Sequence, residues 1–323
     1  NGGRVIVKRH LPSGAATNTF KTMSFASTNG GRVLVKRFLR SIPSRVNFSS
    51  SSKSGKVVVV TSGKGGVGKT TTTASMGFGL AERGFRTCVI DFDIGLRNLD
   101  IHLGCERRVI FDFVNVLQEE CTLKQALITD KRCKDLSLLA ASQTKDKSVL
   151  SEEGVGKILE ELRQSFDYVL CDSPAGIESG ARHAMYFADQ AVIVTNPELS
   201  SCRDSDKMVG FVASTSAIAA AGGRVDQRLL VTRYDPERVV NDDMLHLDDI
   251  KDLLGLPLLG VVPESKSILT ATNLGKPVIM MENDDAAEAY KDAVGRFLGE
   301  DLDLRFTQPR QKGFLEKLFG SRS

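Results

Sequence analysis

The stretch TSGKGGVGKTTTTAS, Thr61 to Ser75, holds two lysines, and only one of them belongs to a familiar chemical pattern. Gly63, Gly68, Lys69 and Thr70 fill G-x-x-x-x-G-K-[ST], a loop that wraps a phosphate chain when a strand precedes it and a helix follows. Glycines let the backbone approach phosphate oxygens, while the amides from Gly66 to Thr70 and the helix N-terminus supply donors and positive potential. Lys69 neutralises the β- and γ-phosphates, and Thr70 offers its hydroxyl to Mg²⁺. The candidate nucleotide-binding loop runs through Gly63, Lys64, Gly65, Gly66, Val67, Gly68, Lys69, Thr70 and Thr71, and the motif accounts for all of its chemistry but one residue. Lys64 is left over. One cradle already has its lysine, so the second is either a solvated loop charge or a group that reaches phosphates it does not itself cradle.

Acids stand where a magnesium-nucleotide enzyme needs them. DYVLCDSPAG places Asp172 directly after apolar strand residues, which suits a carboxylate holding a metal's water shell. CVIDFDIG places Asp91 and Asp93 two residues apart, on one side of a strand at the edge of the same cleft, where one of them can orient an attacking water. Asp is common at strand ends in any α/β protein, so neither motif is decisive alone. With the loop they form a phosphoryl-transfer constellation of lysine, metal ligands and water-positioning carboxylate.

The elements that must hold these groups follow a strand-then-helix rhythm. KVVVVT, RTCVIDFD, LSLLAAS, DYVLCDS, QAVIVTN, QRLLVTR and LLGVVPE read as strands, several of them nearly continuous apolar runs of the kind buried on both faces. TTTASMGFGLAERG, VGKILEELRQSF, GARHAMYFAD and DDAAEAYKDAVGRFLGE read as helices. The alternation predicts an α/β fold, a mostly parallel sheet with helices on both faces and the ligand at the carboxyl ends of the strands. One domain spans residues 54–304, between a leader of residues 1–53 and a tail of residues 305–323.

Charge separates the leader from the rest. Residues 1–53 contain ten Lys and Arg and no acid, and the 43 basic residues of the chain less these ten leave 33 against 40 acidic ones. The remainder is therefore net acidic, at −7, and the global charge of +3 is no argument for nucleic-acid binding. The leader repeats itself, NGGRVIVKRH at Asn1 and NGGRVLVKRF at Asn29, and ends in a serine run. Being Arg-rich, Ser-rich and acid-free, it reads as an organellar transit peptide, with a permanently attached basic arm as the alternative and Met23 as a second candidate start. Its arginines and the junction SRVNFSS favour a mitochondrion, with the peptide absent from the mature protein and the domain in the matrix; a primary plastid is the alternative. The six cysteines form no C-x-x-C pair and the four histidines no metal-ligand spacing, so reduced thiols and no metal cluster are expected. No run of about 18 apolar residues is present to span a membrane.

The tail RQKGFLEKLFGSRS gathers Phe314, Leu315, Leu318 and Phe319 on one helical face flanked by Lys312, Lys317 and Arg322. It reads as an interfacial anchor for anionic lipid, against the alternative of a terminal helix docked on the domain. Glu316 within it weakens that attraction.

KGGVGKTTTT, VIDFDIGLRNLDIHLGCERRVIFDFVNVLQ, CDSPAGIESGA, YFAD, TNPELSSCRDSDK, TRYDPERV, GVVPE and KGFLEKLFG together, in order from Lys56 to Gly320, closely resemble the MinD family of division-site selection ATPases. The resemblance implies the deviant form of the P-loop NTPase fold, in which Lys64 crosses an ATP-sandwich homodimer to touch the partner's phosphates. It implies Asp93 as the residue orienting the hydrolytic water, Asp91 beside it in the first switch, and Asp172 in the second. Adenine recognition would fall near Arg233, Pro263 and Glu264. The implied activity is slow Mg-ATP hydrolysis stimulated by membrane and partner. The implied partners are anionic lipids, regulators of the MinC and MinE type and, indirectly, the ring protein FtsZ. Two other classes share such a loop. A partition ATPase of the ParA kind would bind DNA non-specifically through a basic stripe, and an iron–sulfur carrier or reductase would need paired cysteines.

Overall fold

The computed structural model describes residues 54–309 apart from residues 146 and 178. The leader and the anchor residues Lys312, Phe314, Leu315, Lys317, Leu318 and Phe319 lie outside the described residues.

KVVVV forms the strand β1 (Lys56–Thr61) because each of its valines has a core to enter. Val58 and Val60 pack into one apolar layer and Val57 and Val59 into the other, all four without exposed surface. A strand buried on both faces has no solvent side on which to place polar residues, and that is why the run is continuous rather than alternating.

The remaining strands are β2 (Thr87–Asp91), β3 (Ile128–Thr129), β4 (Leu136–Leu139), β5 (Tyr168–Asp172), β6 (Gln190–Thr195), β7 (Asp226–Tyr234) and β8 (Leu258–Pro263). They form one sheet in the order β3-β4-β2-β5-β1-β6-β7-β8. Every pairing is parallel except that of β3 with β4. All seven strands expected from the sequence are present. The antiparallel edge β3 was not among them; two residues are too few to show a period.

Helices cover both faces. α1 (Lys69–Glu82) packs on one side with α7 (Asp285–Phe297), meeting it through Tyr290 and Val294. α2 (Glu152–Ser165), α3 (Ser179–Tyr186) and α4 (Leu199–Thr215) pack on the other. α5 (Leu247–Leu254) lies over β7 and β8 beside α4, and α6 (Lys266–Asn273) precedes α7. The chain leaves β1 towards β5 and β2 on one side and later returns to fill β6, β7 and β8 on the other. β1 is thus next to the switch in strand order, where α/β sheets open a crevice at their carboxyl ends.

Candidate functional site

The loop after β1 is shaped by its glycines for two different reasons. Gly66 and Gly68 have φ of 75° and 97°, backbone that a side chain resists, and Gly68 in this conformation starts α1. A Cβ built at Gly65, Gly66 or Gly68 meets no atom within 4 Å, so open space lies over this part of the loop. Gly63 is the opposite case: a Cβ there would stand 2.2 Å from the backbone carbonyl carbon of Asp204, so the glycine lets α4 press against the loop. Val67 is fully buried, and its carbonyl accepts a 2.6 Å hydrogen bond from Thr232 Oγ1 at the end of β7.

Lys69, the first residue of α1, is buried to 8 % exposure and donates from Nζ to Ser62 Oγ at 2.9 Å. Burial lowers its pKa, and the charges of Asp172 and Asp93 oppose that shift. Ser62 in turn donates to the Lys64 carbonyl at 2.7 Å, so one hydroxyl ties both lysines of the loop. The Lys64 side chain turns outward. Its Nζ lies 2.7 Å from Glu198 Oε2 and 3.4 Å from Ser200 Oγ at the start of α4, with 43 % of the lysine side chain exposed.

Asp172 and Asp91 end adjacent strands in direct register. Both are buried. Asp172 Oδ1 accepts from Thr73 Oγ1 at 3.0 Å, and the Thr70 hydroxyl also bonds this carboxylate. Burial, followed by the neighbouring Asp91 charge, raises Asp172 to about 7. Asp91 rises to about 6 for the same first reason, although three backbone amides pull it down: Asp93 N at 2.8 Å, Asn98 N at 3.0 Å and Leu99 N at 3.1 Å. Those bonds make Asp91 the organiser of the turn that carries the half-buried Asp93. The loop after Asp172 is stitched to the end of β1 and the phosphate loop by Ser173 N donating to the Val60 carbonyl and Gly176 N to the Ser62 carbonyl, both at 3.1 Å.

The structure therefore gathers Gly63 to Thr71, Asp91, Asp93 and Asp172 at the carboxyl ends of β1, β2 and β5. Pro263 and Glu264 line a separate cavity beyond the end of β7, together with Tyr234. Arg233 does not line it. It is exposed in the left-handed region (φ 53°), at an extra residue that β7 carries between Val231 and Tyr234, and its charge is felt by Glu198. Sequence reasoning missed Ser62, Thr73, Thr232 and Glu198. For Thr73 a signal existed, since residues three apart share a helix face and Thr70 was already assigned. For Glu198, 134 residues from its partner, there was none.

The residues present fit a magnesium-bound polyphosphate. The cradle is open where a Cβ would intrude, a buried lysine stands at its base, and the buried carboxyls of Asp91 and Asp172 end adjacent strands beside it.

Comparison with known proteins agrees with this chemistry. Residues 58–278 match the CobQ/CobB/MinD/ParA nucleotide binding domain. The chain is 56 % identical over 268 residues, 82 % of its length and 99 % of the relative's, to the septum site-determining protein MinD of Neisseria meningitidis serogroup B. Among solved structures it resembles the MinC:MinD cell division protein complex of Aquifex aeolicus, with TM-score 0.70, 40 % identity and coverage of 78 % of this chain and 99 % of that one. It also resembles MinD complexed with Mg-ADP from Pyrococcus horikoshii, with TM-score 0.66, 27 % identity and coverage of 75 % and 96 %.

Proposed function

The chain belongs to the MinD family of ATPases that act in placing a division site, and we propose that it works as an ATP-gated homodimer which occupies a membrane and there sets where a division ring forms. The observation that carries this reading is the position of Lys64. A second loop lysine turned to the exposed rim, held by a surface carboxylate instead of lining its own cradle, is available to another subunit.

In this reading the amides from Gly66 to Thr70 bind the phosphate chain, and Lys69 exchanges Ser62 for the β- and γ-phosphate oxygens. Mg²⁺, when bound, would be held by the Thr70 hydroxyl and, through water, by Asp172 and Asp91, and would neutralise charge on the transferring phosphoryl group. Asp93 orients the water whose oxygen attacks the γ-phosphorus as the bond to the bridging oxygen breaks, releasing ADP and phosphate. Lys64 of the second copy adds positive charge to the same phosphates, so that hydrolysis is slow in the lone chain and rises on assembly.

Other steps lead outward. The A. aeolicus complex supports a regulator of the MinC type as partner. A MinE-type regulator and FtsZ are the further partners we propose. The tail from Lys312 to Phe319 supports binding to anionic lipid, and the acid-free leader supports a mitochondrial location, on the matrix face of the inner membrane, over a plastid one.

The test is cosedimentation with anionic vesicles. The full chain should pellet with ATP and much less with ADP, and truncation before Lys312 should abolish pelleting but not ATP-dependent dimerisation. Pelleting that ignores the nucleotide would remove the switch from this proposal.

A further inference from the structure

Thr71 and His102, 31 residues apart in the chain, meet beside the phosphate loop. Thr71 stands next to Thr70 in the first turn of α1, where backbone amides still project out of the helix; the helical ladder begins with Thr72 N donating to the Gly68 carbonyl at 2.9 Å. His102 ends a short helix, Leu99–His102, and the amides of Asn98 and Leu99 at its start are the ones that bond Asp91. The half-buried ring spans the gap, with Nδ1 3.1 Å from the Asn98 carbonyl oxygen and Nε2 3.4 Å from Thr71 Oγ1. The histidine thus ties α1 to the far end of the turn that carries Asp93.

The polarity of this tie follows from its partners. A carbonyl oxygen only accepts, so the single N–H of a neutral ring must sit on Nδ1, facing Asn98. Nε2 is then a bare lone pair, and the Thr71 hydroxyl must donate to it. Burial lowers the His102 pKa, which keeps the ring neutral at pH 7. Few charges face the ring. Asp100 of the same short helix opposes the shift but is itself paired with Arg97 at 2.7 Å. Of the charged residues of α1, Lys69 bonds Ser62 and Glu82 lies at the opposite end; α6, packed against the same short helix, carries only Lys266.

A phosphate oxygen also only accepts. A hydroxyl has one proton, so Thr71 cannot donate to His102 and to a phosphate at once. We propose that His102 is a positioning residue for the nucleotide: neutral, it holds the Thr71 hydroxyl proton away from the phosphate chain, and on nucleotide binding it takes one proton from solvent at Nε2 and donates to Thr71 Oγ1, freeing the hydroxyl proton for a phosphate oxygen. The role rests on the nucleotide reading above and deepens it. Nδ1 donates to Asn98 in both states, so the tie between α1 and the Asp93 turn is kept while its polarity at Thr71 reverses. The imidazolium adds positive charge beside the phosphates, and alkaline pH, which withholds the proton, weakens the seat.

The test follows the ring C–H resonance of His102 by NMR as pH is varied, in the full chain with and without saturating Mg-ADP, which carries no γ-phosphate to turn over. The chain has four histidines, and His102→Gln identifies the signal. Its midpoint should rise by about one pH unit with Mg-ADP, the scale of one hydrogen bond made or left unmade, and should not rise in Thr71→Val at saturation. The glutamine amide can donate to Thr71 at any pH. Relative to His102→Gln, the unaltered chain should therefore lose Mg-ADP affinity by about tenfold between pH 6 and pH 8, a comparison that cancels the protons of the nucleotide, Asp91 and Asp172. A midpoint that stays in place with Mg-ADP bound, a rise that persists in Thr71→Val, or parallel affinity profiles would overturn the role of His102 and leave the phosphate site intact. If the unaltered chain binds no Mg-ADP, the nucleotide reading itself fails, and this role with it.

Discussion

Lys64 Nζ and Glu198 Oε2 form an ion pair 2.7 Å long within one chain, with about half of each side chain in solvent. Surface pairs of this kind contribute about 0–1 kcal/mol, because water and salt screen them. The pair parks the lysine without holding it firmly, and a polyphosphate offering several anionic oxygens can displace the carboxylate. Glu198→Gln should therefore change thermal stability by no more than about 1 kcal/mol, a limit that denaturant titration can check.

Lys64→Ala and Lys69→Ala should fail in different ways. Lys69 stands in its own cradle, so its loss should remove ATP binding measured by calorimetry. Lys64→Ala should leave the affinity of the monomer within about twofold, since an exposed group contributes little there, and should abolish the ATP-dependent dimer seen in sedimentation velocity. Equal losses of affinity in both variants would place Lys64 in its own subunit's site.

Asp93→Ala should keep ATP binding and assembly while phosphate release falls by about 10² or more, the usual contribution of a group that positions a reacting water or moves its proton. A variant that turns over at the parental rate would transfer that role to another residue.

Gly63→Ala and Gly65→Ala should separate folding from binding. At Gly63 the added methyl meets the backbone of Asp204, and relief of that clash should cost about 1–3 kcal/mol, as overpacking does. At Gly65 no atom lies within reach, so stability should hold while ATP affinity falls. Thermal midpoints and nucleotide titrations on the two variants check both halves.

The raised carboxyls predict a pH dependence of definite sign. Asp172, at about 7, and Asp91, at about 6, bind protons more tightly in the folded chain than the ordinary carboxylate value near 3.8 allows unfolded. Between about pH 4 and 7 the folded state therefore holds more protons than the unfolded one, and stability falls as pH rises through that window. The ligand-free chain should melt at lower temperature at pH 7.5 than at pH 5.5, and Asp172→Asn should flatten that slope. Depressed acids such as Asp130 and Asp167 act below their ordinary values, outside this window, while His102, whose pKa burial lowers, acts inside it with the opposite sign, one group against the two carboxyls.

The parts of the site that were legible in the sequence are those fixed by local spacing. Gly66, Gly68, Lys69 and Thr70 must follow one another at set intervals for a backbone to wrap a phosphate, and Val57 to Val60 must all be apolar because both faces of β1 are covered. Asp172 and Asp91 could be placed at strand ends for the same reason. What remained hidden depends on contacts between distant segments. Nothing near Lys64 announces Glu198, and nothing near Gly63 announces Asp204. The positive φ of Arg233 belongs to the same class, since it arises where β7 carries one residue more than β8 opposite it.

β1 is flanked by β5 and β6 along its length and covered on both faces, yet within five residues of its end the chain reaches Gly65 and Gly66 in open solvent. Amide hydrogen exchange should fall across that short interval from the slowest sites of the molecule to some of its fastest, because exchange at buried strand centres requires global opening and exchange at a loop rim does not. Lys64 lies on this short climb to the rim, and Lys69 lies beyond it, buried in the first turn of α1. Opening of the rim would therefore let Lys64 reach a second molecule while the helix keeps the aim of Lys69.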